Sequence, residues 1–230
     1  MIVKKALGVA LLATVSVAHA DPRVVGDGAC PYYAVDIEAF ATCEGDRVAA
    51  FNRAALAPVL LPEAAVPPSK RHFSGLYVDA RGAHRLKQDN PQAVVLLDVR
   101  TRAEVGLTGQ PAEVDAHVPY LETALPLRWD DDIGGWAMTR NPRFAAEAAA
   151  QLARLGVPLD APVVLLCRSG ERSARAADEL AAAGYANTVS VVDGFEGDIA
   201  QDGRRSVNGW KNAGLPWTAR PVATLVYGAR

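Results

Sequence analysis

The stretch VVLLCRSGERSARAADELAAAGY, residues 163–185, joins an apolar run, a short polar loop and an alanine-rich segment in direct succession. The apolar run VVLL does not alternate with polar residues, which is typical of a strand buried on both faces. The alanine-rich segment begins near Arg172 and stops at Gly184, as a helix does. The order predicts a strand that gives way to a helix, with Cys167 at the junction.

Strands and helices alternate on both sides of this stretch. AVVLLDVR (93–100) and TVSVVDG (188–194) predict two further buried strands. NPRFAAEAAAQLARLGV (141–157) predicts an amphipathic helix capped by Asn141, with Pro142 at its first position. Alternation of this kind predicts an α/β domain with an open, mostly parallel sheet flanked by helices on both faces. The less regular stretch 101–132 is interpreted as loops, which either border a site or only connect elements.

The first twenty residues, MIVKKALGVALLATVSVAHA, predict export. Two lysines precede an apolar core that ends in Ala-His-Ala, the pattern of a cleaved secretory signal peptide. The apolar run is shorter than the ~20 residues that a membrane span needs. We therefore expect a mature chain that begins at Asp21, is not held by a membrane after cleavage and resides in the periplasm.

The remaining chain is expected to have three parts. Residues 21–72 are predicted to form an N-terminal extension of helices and loops, which is closed by a proline pair that cannot continue a helix. Residues 73–222 form the α/β domain, and residues 223–230 form a C-terminal tail.

Composition and cysteine usage limit the partners and point to Cys167. The formal net charge is −2, with no clustered basic residues, so nucleic acid is not expected as a partner. Of the three cysteines, Cys30 and Cys43 are near neighbours and are expected to form a disulfide in an oxidising compartment. The alternatives are that either of them is reduced or pairs with Cys167. With the first two paired, Cys167 is a free thiol, for which reactivity is the natural explanation.

The loop after Cys167 predicts a site for an anionic sulfur. Gly170 can adopt the backbone angle that turns amides toward one atom, and converging amides bind anions. Arg168 and Arg172 add positive charge, so a thiolate is favoured over a thiol. The alternative is a buried, inert cysteine that only packs.

The motif CRSGERS at 167–173 resembles the active-site loop of single-domain rhodaneses, a family of sulfurtransferases. The segments VVLLDVRTRAE (94–104) and GWKNAGLPW (209–217) are similar to two further segments of that family, so the resemblance extends from about residue 76 to residue 217. One segment, DAHVPYLETALPL (115–127), departs from the family pattern: Ala116 and Tyr120 stand where glycines are more frequent.

The resemblance implies a rhodanese-like fold and a ping-pong reaction. Cys167 would take a sulfane sulfur from an anionic donor such as thiosulfate, hold it as a persulfide and pass it to cyanide or a thiol. The reaction needs no metal and no organic cofactor. Glu171 is expected to point outward, away from the anion. The loop expected to bind the substrate comprises Arg168, Ser169, Gly170, Glu171, Arg172 and Ser173.

Three residues outside the loop are candidates for supporting roles. Asp98 and Arg100 follow a predicted strand, and His117 lies in a loop. Each is interpreted first as structural, and a catalytic role is the alternative.

Two other functions remain open. One is a sulfur carrier or binding module for another exported protein, with little turnover of small molecules. The other is a cysteine phosphatase or arsenate reductase, which needs an arginine at the position that Ser173 occupies.

Overall fold

The structure, a computed structural model, describes residues 53–229. The predicted signal peptide, Cys30 and Cys43 lie outside the described residues. Within them, no helix is both long and apolar enough to cross a membrane.

The described residues form short strands and four α-helices in alternation. The strands are β1 (Tyr77–Val78), β2 (Val95–Asp98), β3 (Gln110–Pro111), β4 (Ala116–His117), β5 (Leu121–Thr123), β6 (Trp129–Asp130), β7 (Gly135–Trp136), β8 (Met138–Arg140), β9 (Pro162–Leu166), β10 (Asn187–Val191) and β11 (Trp217–Thr218). The α-helices are α1 (Ala80–Asp89), α2 (Arg102–Thr108), α3 (Phe144–Arg154) and α4 (Glu171–Ala182). Short 3-10 helices cover Arg53–Val59, Glu63–Ala65, Pro68–Lys70 and Ala223–Leu225.

The central sheet has the strand order β1-β10-β9-β2-β4. All four strand pairs are parallel, which confirms the predicted α/β architecture. Because parallel strands end at the same edge, the residues that follow β2, β4 and β9 lie along one edge of the sheet. Cys167, directly after β9, is at this edge, as are Asp98 and His117.

Both faces of the sheet are covered, which explains the unbroken apolar runs. Val163 and Leu165 of β9 pack with Phe144 of α3 and Leu180 of α4. Val164 and Leu166, which point to the other face, pack with residues of α1 and with Leu56. Leu56 is fully buried, so the described part of the N-terminal extension shares the core of the domain.

Two local predictions were wrong. The helix predicted to begin at Pro142 begins at Phe144, because the Asn141 side chain accepts a hydrogen bond from Arg143 N in a preceding turn. The stretch interpreted as loops contains α2, whose start is a capping box: the Thr101 hydroxyl accepts from Glu104 N, and the Glu104 carboxylate accepts from Thr101 N.

A buried ion pair stabilises the chain just after β2. Arg100 and Asp98 have side chains that are 0% and 1% exposed, and two guanidinium nitrogens of Arg100 donate to the Asp98 carboxylate. Arg100 also donates to the Thr108 hydroxyl and the Gly109 carbonyl, and it stacks 4.0 Å from the centre of the Phe195 ring. The pair therefore connects β2, the end of α2 and the segment after β10.

Replacing Asp98 with alanine should lower the free energy of unfolding by about 3–5 kcal/mol, because the Arg100 guanidinium would stay buried without its carboxylate. A matched control is Arg102→Ala, which breaks a pair with Glu122 whose arginine side chain is 53% exposed. That change should cost no more than about 1 kcal/mol. Urea unfolding measures both values, and equal losses would contradict the assignment.

Candidate functional site

Cys167 lies between β9 and α4, at the floor of the loop 167–170. Its residue surface is 1% exposed. The Gly170 amide donates a hydrogen bond to Sγ at 3.1 Å. Helix α4 begins at the next residue, so the positive end of its dipole lies beside the sulfur. One backbone N–H and the start of one helix are thus directed at the sulfur.

The loop is shaped by two close backbone contacts. Gly170 has φ 104°, and a Cβ atom there would lie 2.0 Å from the carbonyl oxygen of Val192. Gly194 has φ 64°, and a Cβ atom there would lie 2.6 Å from the Cys167 carbonyl oxygen. Phe195 N then donates to that same carbonyl at 2.8 Å. The segment after β10 thus forms one wall of the cysteine loop.

Ser173 is fully buried behind the sulfur. Its Oγ lies 3.6 Å from Cys167 Sγ and donates to the Gly170 carbonyl at 2.8 Å. It also accepts a hydrogen bond from the hydroxyl of Ser190, a fully buried residue of β10, at 3.0 Å. A chain of two hydroxyls therefore leads from the sheet interior to the sulfur.

Arg172 is held by Glu104 rather than left free for a substrate. Nη1 and Nη2 each donate to one Glu104 oxygen at 2.6 Å, a bidentate pair between α4 and α2. Burial raises the pKa of Glu104, but the hydrogen bonds and charge of Arg172 outweigh it and lower that pKa to about 2. Burial lowers the pKa of Arg172, but Glu104 and the nearby Cys167 raise it well above its usual range.

The other loop residues lie nearer the surface. Arg168 donates to Glu196 at 2.8 Å, and its side chain is 44% exposed. Glu171 is exposed, and Ser169 is partly buried. Burial is the main cause that lowers the pKa of Arg205, and repulsion from the nearby Arg168 lowers that pKa further. Arg168 and Arg205 therefore place positive charge at the rim of the loop.

The three supporting candidates lie at the same sheet edge but make structural contacts. Asp98 and Arg100 form the buried ion pair described above. Tyr227 N donates to His117 Nδ1, so the ring proton is on Nε2, which donates to the Arg100 carbonyl at 2.7 Å. Both His117 nitrogens are thus hydrogen-bonded to the backbone.

Four residues of the site were not identified from the sequence: Glu104, Ser190, Phe195 and Glu196. Glu104 had a visible signal, the spacing Thr-x-x-Glu of a capping box. The other three follow from placing the TVSVVDG strand beside the cysteine strand, which brings residues 190–196 against the loop. Among residues 53–229, no group of three or more His, Cys, Asp or Glu side chains could hold a metal ion.

The profile of one protein family matches this chain. Residues 80–197 match the profile of the rhodanese-like domain. The uncharacterized protein RP600 of Rickettsia prowazekii is 32% identical over 123 residues, which are 53% of this chain and 80% of that protein. The RP600 homolog of Rickettsia rickettsii is 34% identical over 122 residues, with the same coverage.

Two solved structures are similar in part. Rv0390 from M. tuberculosis aligns with a TM-score of 0.47 and 31% identity, covering 62% of this chain and 96% of that one. The 30 kDa polysulfide-sulfur transferase homodimer from Wolinella succinogenes aligns with a TM-score of 0.37 and 23% identity, covering 62% and 77%.

The low pKa of Glu104 predicts a pH-dependent contribution to stability. The folded-state pKa is about 2, against an ordinary value of 4.5, so the stabilisation is present above about pH 4.5 and is lost as the pH falls through about 2. The shift corresponds to a few kcal/mol, on the order of 3. Glutamine at position 104 has no carboxylate to protonate. As the pH falls from 4.5 to about 2, the free energy of unfolding measured by urea should therefore decrease less in Glu104→Gln than in the wild type. Parallel curves would contradict the prediction.

Proposed function

The chain belongs to the rhodanese-like domain family, and from this premise we propose that it is a sulfurtransferase whose nucleophile is Cys167. The observation that carries the proposal is the placement of the only described cysteine, at a sheet edge and a helix start, with the Gly170 amide directed at its sulfur. A thiolate and a persulfide anion need the same stabilisation, so one loop serves both.

The proposed reaction has two steps. The Cys167 thiolate attacks the outer sulfur of a donor such as thiosulfate; a new S–S bond forms, the sulfur–sulfur bond of the donor breaks, and sulfite leaves with the electron pair. An acceptor such as cyanide or a thiolate then attacks the outer sulfur of the persulfide. Thiocyanate or an acceptor persulfide leaves, and the Cys167 thiolate is restored.

The burial of Cys167 supports a small donor with a terminal sulfane sulfur. At 1% exposure, Cys167 favours a small donor that can present its terminal sulfur to the loop. Arg168, half-exposed at the rim, favours a negatively charged donor, and its planar guanidinium suits oxyanions. Arg172 contributes charge from behind the loop, while its donors are occupied by Glu104.

A phosphatase is the less supported alternative. The position where such enzymes need an arginine holds Ser173, whose hydroxyl is buried and bonded inside the domain. The neighbouring Arg172 is directed to Glu104 and does not replace it. The loop therefore lacks, at position 173, the arginine that a phosphate-binding ring requires.

Intact mass spectrometry tests the proposal. The chain from Asp21, incubated with thiosulfate, should gain one sulfur atom, and cyanide should remove it with formation of thiocyanate. Cys167→Ser should show neither the gain nor thiocyanate formation above background. The matched control is Cys30→Ser/Cys43→Ser, which removes the other two cysteines and should keep the gain.

Three outcomes would distinguish the alternatives. An adduct on Cys167 that cyanide does not remove would favour a sulfur carrier for a protein partner. Hydrolysis of a phosphate ester faster than sulfur transfer would favour a phosphatase. Absence of an adduct with both thiosulfate and polysulfide would overturn the sulfurtransferase proposal.

We also propose that the protein is exported to the periplasm and that Cys30 and Cys43 form a disulfide there. The pattern of residues 1–20 and the spacing of the cysteines support this proposal. N-terminal sequencing of the periplasmic protein should begin at Asp21. Alkylation in denaturant without reductant should label Cys167 alone, whereas labelling of three cysteines would contradict the disulfide.

A further inference from the structure

Residues 121–140, here called the arm, form a hairpin that bears six exposed large apolar side chains. Strand β5 pairs with β8 and β6 pairs with β7, each antiparallel. At about 200 Å² for a fully exposed large side chain, its apolar groups expose on the order of 700 Å². The exposed residues are Leu125 (85%), Leu127 (57%), Trp129 (53%), Ile133 (52%), Trp136 (51%) and Met138 (40%).

Charge is distributed unevenly along the arm. The turn at its tip contains three consecutive aspartates, of which Asp131 and Asp132 are exposed. Arg140 ends the arm at its base, and Arg143 follows just beyond. Their side chains are 51% and 78% exposed, although each pairs with a glutamate of the domain. The exposed charged groups are therefore carboxylates at the tip, Arg128 among the apolar residues, and two arginines at the base whose charges are partly compensated by Glu179 and Glu147.

We propose that the arm binds the arm of a second copy of this chain in an antiparallel, two-fold arrangement. The two apolar surfaces would face each other, and the acidic tip of each arm would meet the arginines at the base of the other. In a two-fold dimer, the same patch of each subunit forms the interface, so that patch must be complementary to itself. The arm and its base carry exposed carboxylates and exposed guanidinium groups, which can pair across such an axis.

The area agrees with a stable dimer. Two arms would bury on the order of 1,400 Å² in total, within the range of standard protein interfaces. Aromatic side chains such as Trp129 and Trp136 are enriched at the centres of such interfaces. The rings of Trp129 and Trp136 pack edge to face with centres 5.6 Å apart, so each ring holds the other in position before a partner binds. The inference does not rest on the sulfurtransferase activity.

Sedimentation velocity of the chain from Asp21 tests the apolar contact. The wild type should be dimeric at micromolar concentration, and Leu125→Lys/Leu127→Lys should weaken the dimer at least tenfold. The matched control is Phe73→Lys, which changes a 95% exposed apolar side chain outside the arm and should leave the dimer intact. A monomeric wild type would overturn the proposal.

An exchange of charges tests the antiparallel arrangement. Asp131→Lys/Asp132→Lys makes the tip basic, and Arg140→Glu/Arg143→Glu makes the base acidic, so each variant alone should be monomeric through repulsion of like charges. Mixed in equal amounts, the two variants should form a heterodimer, because both of its tip-to-base contacts then join opposite charges. Circular dichroism checks that each variant is folded. A mixture of folded variants that stays monomeric would overturn the arrangement.

Discussion

Gly170 has no side chain, and the Val192 carbonyl oxygen lies 2.0 Å from where its Cβ would be. Because position 170 has no side chain, the loop after β9 can lie against the end of β10. The left-handed backbone at Gly170 turns its amide toward Cys167 Sγ and starts α4 at the next residue. Ser173 is carried into the interior by the same turn. A side chain at position 170 would displace the loop from β10 and thereby alter the surroundings of the sulfur.

The architecture could be predicted from the sequence because its strands are marked by composition. Residues buried on both faces of a sheet appear as unbroken apolar runs, and β2 and β9 each appear in this way. The short helix α2 was missed because seven residues give a weak periodic signal, although its capping box was present. The start of α3 was placed too early because Asn141 caps a turn before the helix rather than the helix itself.

The site was less predictable because its side chains are paired over long distances in the chain. Arg172 and Glu104 are 68 residues apart, and they meet because β2 lies beside β9. Arg168 and Glu196 meet because β10 lies on the other side. The sequence suggested two free arginines around the sulfur. In the structure each arginine has a carboxylate partner, so its charge is partly compensated and its guanidinium is fixed in direction.

The Ser173 hydroxyl has a single proton, and both the Gly170 carbonyl and the Cys167 sulfur lie within its reach. That proton is donated to the Gly170 carbonyl, and the other side of the oxygen accepts from Ser190. An uncharged thiol at Cys167 donates its own proton toward this oxygen, which lies 3.6 Å from Sγ. A thiolate has no proton to donate and would compete with the Gly170 carbonyl for the Ser173 proton; that carbonyl also accepts from Ala174 N. The hydrogen bond from Ser173 to the first turn of α4 would therefore depend on the charge of Cys167 Sγ, while the Ala174 amide keeps the Gly170 carbonyl bonded in either case.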